Sequence, residues 1–91
     1  MRKYSKHEIN KIMSTEKVIV RVGRKGITEG LINEIKRQLN QRGHIKLKIL
    51  KNIRPYIRDE DVEKLANSAG GRVVSKRGYV YLIVLAKPKK D

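Results

Sequence analysis

Val18-Ile19-Val20-Arg21-Val22-Gly23-Arg24-Lys25-Gly26-Ile27-Thr28 runs from an alternating apolar segment, through a glycine-bounded loop, into a helical pattern. Residues 18–22 read as a strand with Arg21 on its polar face. Gly23-Arg24-Lys25-Gly26 is then a GxxG loop with two cations at its tip. Glycines let a backbone approach a phosphate with no Cβ in the way. A helix that follows points free N–H groups at the same place. Four residues with two fixed glycines are a weak motif alone, so the rest of the chain has to support it.

Downstream, Ile27, Leu31, Ile35 and Leu39 recur every four residues with Ile32 beside them, the apolar face of a helix. Thr28 is its expected N-cap and Gly43 lies just past its end. Gly30, inside the first turn, costs up to about 1 kcal/mol relative to alanine, which points to close approach of either RNA or another protein segment; the protein segment is the expectation. Ile45-Lys46-Leu47-Lys48-Ile49 alternates as a half-buried strand does. Asn52–Tyr56 reads as a loop, and a third helix opens near Asp59, where acids suit the helix dipole. Val62, Leu65, Ala66 and Ala69 form its inner face, and Gly70-Gly71 stop it. Arg72–Ser75 is a short strand, Lys76-Arg77-Gly78 a turn, and Tyr79–Ala86 a nearly continuous apolar strand of the kind buried on both faces. Upstream, Ser5-Lys6-His7-Glu8 is a capping box, followed by the apolar stripe Ile9, Ile12 and Met13. This first helix is expected to end near Ser14.

The order is α-β-α-β-α-β-β. It predicts an α/β two-layer sandwich with a mixed four-stranded sheet. Strands 18–22 and 45–50 run parallel through a crossover helix, and the last two strands form a hairpin. Ligands of such sheets gather beyond the carboxyl ends of the parallel strands. If those strands are neighbours, Arg24 and Lys25 share one edge of the protein with Lys51, Asn52 and Arg54.

Ninety-one residues make one domain, read as 1–87 followed by a basic tail at 88–91. So short a chain has one modest core and little room for a catalytic cavity. There is no cysteine, which excludes disulfides, thiolate metal sites and cysteine nucleophiles. The start lacks a signal-peptide pattern, and no stretch approaches the ~20 apolar residues of a membrane span. A cytoplasmic monomer is expected. Net charge is +14, and four of the nine acids crowd into residues 59–63. A segregated surface of that sign fits a polyanionic partner. No segment pairs an apolar helix face with a wholly basic one, so a membrane surface fits less well.

No side-chain arrangement points to catalysis. His7 and His44 have no metal-ligand spacing with the acids and are expected on the surface. The acids at 59–63 are explained by the helix dipole. Neither a metal nor a cofactor is expected, and the chain does not read as an enzyme. Lys46 and Lys48 share a strand face, which gives a solvated basic strip if no helix covers it; the strip is the expectation. Tyr79 and Tyr81 are expected in the core. Tyr56, beside Arg54 and Arg58, is the better candidate for stacking on a base.

Val22-Gly23-Arg24-Lys25-Gly26-Ile27-Thr28-Glu29-Gly30-Leu31 resembles the signature of the CRM domain family, named for chloroplast RNA splicing and ribosome maturation. Residues 45–52 and the hairpin with Gly78 look like further parts of that family. The resemblance covers roughly residues 5–87. It implies a fold like the C-terminal domain of translation initiation factor three. It also implies non-catalytic RNA binding, and stand-alone prokaryotic members associate with large-subunit ribosome precursors. The family's RNA-contacting loop falls on Gly23, Arg24, Lys25 and Gly26. Arg24 and Lys25 stand where members usually have Lys and often Asn, so positive charge is kept and increased.

The expected partner is therefore RNA, specifically ribosomal RNA in a ribosomal subunit or its precursor. Loop amides and cations at 23–26 would hold phosphates, with Arg21, Lys51, Asn52 and Arg54 extending the contact. Glu29 repels a phosphate from the helix end itself. The rival reading is a general nucleic-acid-coating protein of the Alba type, which shares a related fold.

Overall fold

The computed structural model describes residues 4–86; the tail read at 88–91 lies outside them. The elements are α1 (Lys6–Thr15), β1 (Val20–Val22), α2 (Glu29–Arg42), β2 (His44–Ile49), a 3-10 helix (Lys51–Tyr56), α3 (Asp59–Ser68), β3 (Gly71–Arg77) and β4 (Val80–Leu85). The four strands form one mixed sheet in the order β1-β2-β4-β3. β1 and β2 are parallel, and β4 is antiparallel to both β2 and β3.

Local chemistry fixes the helix ends. Glu8 N–H donates to Ser5 Oγ at 3.1 Å, and Ser5 N–H donates to Glu8 Oε1 at 3.2 Å, completing the capping box. Leu31 N–H donates to Thr28 Oγ1 at 3.1 Å, and Gly43 N–H closes α2 onto the Leu39 carbonyl at 2.8 Å.

The main core lies between the sheet and α2 and α3. Ile35 and Leu39 of α2 and Val62 and Leu65 of α3 pack on Val22, Ile45, Leu47, Ile49, Tyr81 and Ile83. Each fully buried Leu or Ile there contributes about 1.5–3 kcal/mol of transfer free energy. Gly71 allows α2 to come this close: a Cβ on it would stand 2.7 Å from Leu39 Cδ1 and 2.8 Å from the Val84 carbonyl oxygen.

On the opposite sheet face, α1 brings Ile12 and Met13 onto Leu82 and Val84. β4 is thus buried on both faces, as its unbroken apolar run predicts. The same placement corrects two expectations. Lys46 is not part of a solvated strip. It is 8% exposed, and its Nζ donates to the carbonyls of Met13 at 2.9 Å and Glu16 at 2.7 Å. His44, also 8% exposed, is not a surface residue. Its Nε2 lies 2.8 Å from Glu16 Oε1 and its Nδ1 2.9 Å from the Tyr4 hydroxyl. With the proton on Nε2, the neutral ring donates to the carboxylate and accepts from the phenol.

Other boundaries shift. β1 is shorter than 18–22, although Ile19 N–H already donates to the Lys46 carbonyl at 3.0 Å. Asn52–Tyr56 is not an irregular loop: Lys51–Tyr56 winds as a 3-10 helix with Pro55 inside it. β3 extends to Arg77 because ladder pairing continues through Lys76↔Tyr81 and Arg77↔Val80. The turn is therefore Gly78-Tyr79, with Gly78 at φ +61°, the glycine position of a tight hairpin turn.

Candidate nucleic-acid interface

The parallel pairing of β1 and β2 sets Val22 beside Ile49, so the segments leaving them start side by side. Leu50 N–H donates to the Val22 carbonyl at 2.9 Å and ties the two exits together. The GxxG loop and the 3-10 helix therefore share one end of the sheet, as their order in the sequence predicts. Because β4 is antiparallel to β2 with Val80 opposite Lys48, the Gly78-Tyr79 turn reaches the same end. Sequence reading missed this third contributor. Its signal was the strand order, which a hairpin inserted beside β2 does not reveal in one dimension.

Within the loop, Gly26 N–H donates to the Gly23 carbonyl at 2.7 Å, closing a tight turn. Gly26 adopts φ +67°, where a Cβ would be strained. Gly23 is small for a different reason: a Cβ there would lie 3.3 Å from Leu50 Cδ1. The turn consumes the Gly26 amide, whereas among the described residues no backbone carbonyl accepts from the amides of Arg24 and Lys25, two exposed residues. The loop borders a shallow depression of about 390 Å3 lined by Arg21, Arg24, Lys25, Thr28 and Leu31. At the head of α2, Thr28 Oγ1 already takes one free amide and Glu29 adds negative charge.

Among the described residues, no carboxylate lies within ion-pair distance of Arg21, Arg24, Lys25, Lys48 or Lys51. Arg21 and Lys48 are register partners across β1 and β2 and project from the sheet face opposite the main core. Lys51 and Asn52 are exposed at the start of the 3-10 helix. Arg54 is held more tightly. Its Nε donates to the Ile49 carbonyl at 3.1 Å, and its guanidinium carbon lies 4.1 Å from the Tyr79 ring centroid. Tyr79 is 43% exposed, which corrects the expectation of a core residue; it belongs to the hairpin turn rather than to the strand.

Tyr81 is buried as expected. Its hydroxyl donates to Asp59 Oδ1 at 2.6 Å, and Lys76 Nζ donates to the same oxygen at 2.7 Å. The Lys76 and Tyr81 hydrogen bonds hold the Asp59 carboxyl below its ordinary range, and the bond to Asp59 raises Lys76. Burial and the bond to Asp59 push the Tyr81 hydroxyl up to about 12. These groups satisfy each other at the β3 side of the sheet end, whereas the cations on the β1 side have no such partners among the described residues. Among the described residues, no group of three or more His, Asp or Glu side chains could hold a metal ion, and no helix is long and apolar enough to cross a membrane.

A profile of the CRS1 / YhbY (CRM) domain matches residues 1–85. This chain belongs to the CRM family. A Methanocaldococcus jannaschii protein named as a probable RNA-binding protein is 41% identical over 73 residues, 79% of this chain and 52% of that relative. The chain thus spans about half the length of the curated relative it matches. The CRM fold also superposes on the solution structure of a Staphylococcus aureus protein described as a candidate RNA-binding protein. The TM-score is 0.61 at 21% identity, covering 93% of this chain and 88% of that one. At that identity the likeness speaks to the fold.

Proposed function

We propose that this CRM chain is a non-catalytic RNA-binding protein that holds RNA backbone in the loop Gly23–Gly26. Arg21, Lys51, Asn52 and Arg54 extend the contact, and the target is ribosomal RNA within a ribosome or its precursor. The observation that carries the reading is the gathering of cations without ion-pair partners among the described residues around a tight turn with Arg24 and Lys25 exposed at its tip. Such a site neutralises phosphates, and phosphate contacts position a protein without reading sequence. Selectivity then comes from RNA shape and single-stranded segments. Family membership and the name of the Methanocaldococcus jannaschii relative support RNA as the ligand. The ribosomal target rests on the resemblance to stand-alone prokaryotic members. The shallow loop depression and the mutually satisfied Asp59–Lys76–Tyr81 group fit binding better than chemistry.

Crosslinking in cells followed by sequencing of the attached fragments tests the target. Fragments concentrated in one region of ribosomal RNA are expected. Fragments spread over many RNAs, with comparable recovery of DNA, would reject the ribosomal target in favour of Alba-like coating.

A further inference from the structure

Tyr79 and Arg54 are fastened to the two backbone groups of one residue. Ile49 N–H donates to the Tyr79 carbonyl at 2.9 Å, and the Ile49 carbonyl accepts from Arg54 Nε at 3.1 Å. The guanidinium is thereby held 4.1 Å from the Tyr79 ring centroid. Two planar groups are stacked at the sheet end and anchored on the last residue of a central strand. A tyrosine in a hairpin turn needs no such arrangement for folding, and this one remains 43% exposed. Among the described residues, the terminal nitrogens of Arg54 have no acceptor.

We propose that the Arg54–Tyr79 stack is a docking platform for a single nucleobase of a bound RNA strand. The proposal rests on the RNA-binding reading above and adds a base-contacting site to its phosphate contacts. A planar π-cation pair accepts the face of any base, and pre-ordering reduces the conformational entropy lost on binding. The free Arg54 nitrogens are then placed to donate to a base edge or to the adjoining phosphate. Tyr79 and the GxxG loop are separated by the width of β2. From β1 to β4 that is two strand spacings, about 10 Å, or about three stacked nucleotides at 3.4 Å each. One strand can therefore lay phosphates on residues 23–26 and a base on Tyr79. Tyr56, at 76% exposure, has no ring or hydrogen-bond partner among the described residues, so ordering it would cost entropy that Tyr79 has already lost.

The test compares an oligouridylate with an abasic RNA strand of equal length, for the wild type, Tyr79→Ala and Tyr79→Phe. Tyr79→Ala is expected to weaken oligouridylate binding by about 5-fold or more and to leave the salt dependence unchanged. Tyr79→Phe is expected to stay within about twofold of the wild type, because the π-face survives. On the abasic strand all three proteins are expected to bind equally. Photo-crosslinking of the wild-type protein to a 5-bromouridine strand, which needs no variant to fold, is expected to mark Tyr79. Equal oligouridylate binding by Tyr79→Ala, an equal loss on both strands, or crosslinks only at other residues would overturn the platform and leave the RNA-binding reading standing. A wild type that binds neither strand would overturn both.

Discussion

The Lys46 ammonium donates to the main-chain carbonyl of Glu16 at 2.7 Å, across from a second bond to Met13. A cation at the end of α1 meets the carbonyls that a helix terminus leaves without intrahelical donors. Lys46 therefore serves as the anchor of α1 on the sheet, although its alternation with Leu47 gives it the signature of a solvated residue. Lys46→Met keeps the stem and removes the donor. It is expected to destabilise the fold by about 1–3 kcal/mol, measured by denaturant or thermal unfolding, with the salt dependence of RNA binding unchanged. A variant of full stability that binds RNA more weakly would instead return Lys46 to the interface.

Gly30 corrects another expectation, the close approach of a protein segment. It is exposed, and a Cβ there would meet only Thr28 Oγ1 at 3.8 Å, an ordinary contact. Among the described residues, no protein segment requires a glycine at this point of α2. Gly30→Ala is expected to raise stability by roughly 0.5–1 kcal/mol. If RNA backbone passes over the head of α2, the same substitution is expected to weaken RNA binding. Unfolding curves and a binding titration on one variant separate the two effects, and unchanged affinity would show that RNA keeps clear of this turn.

The Asp59–Lys76–Tyr81 group sets pH limits on stability. The Tyr81 hydroxyl titrates near 12 in the folded chain against 10.0 for the free group. Between those values the native state binds more protons than the unfolded state, so stability falls as pH rises through that window. Lys76, also raised, adds in the same direction above its ordinary 10.5. Asp59 is lowered from 3.8, so its contribution is present above that value and is lost as pH falls below it. Melting temperature against pH is expected to fall at both ends. Tyr81→Phe is expected to lessen the alkaline fall, and an alkaline limb of wild-type steepness in that variant would contradict the assignment.

Much of the fold is legible in the sequence because caps and periodicity are local. Ser5 with Glu8 and Thr28 with Gly43 mark helix ends by their own hydrogen bonds, and the alternation at 45–49 marks a strand whatever packs on it. The shared edge of the GxxG loop and Lys51–Arg54 follows from parallel pairing alone. What the sequence hides is which surfaces meet. Lys46 and His44 alternate with core residues, so their burial depends on where α1 lands. The apolar stripe Ile9, Ile12 and Met13 and the unbroken run of β4 were the available signs that a second face needed cover. The arrival of Tyr79 at the candidate site depends on β4 inserting between β2 and β3, a long-range choice that no local pattern encodes.

The central claim is that Arg24 and Lys25 hold RNA phosphates, and the salt dependence of binding tests it most directly. The affinity of single-stranded RNA is measured across a range of salt concentrations for the wild type and for Arg24→Ala/Lys25→Ala. Each lost phosphate contact flattens the log–log slope by about 0.7. The double variant is therefore expected to fold normally, bind more weakly and lose up to about 1.4 units of slope. A folded double variant with the wild-type slope would contradict the account and remove the loop from the interface.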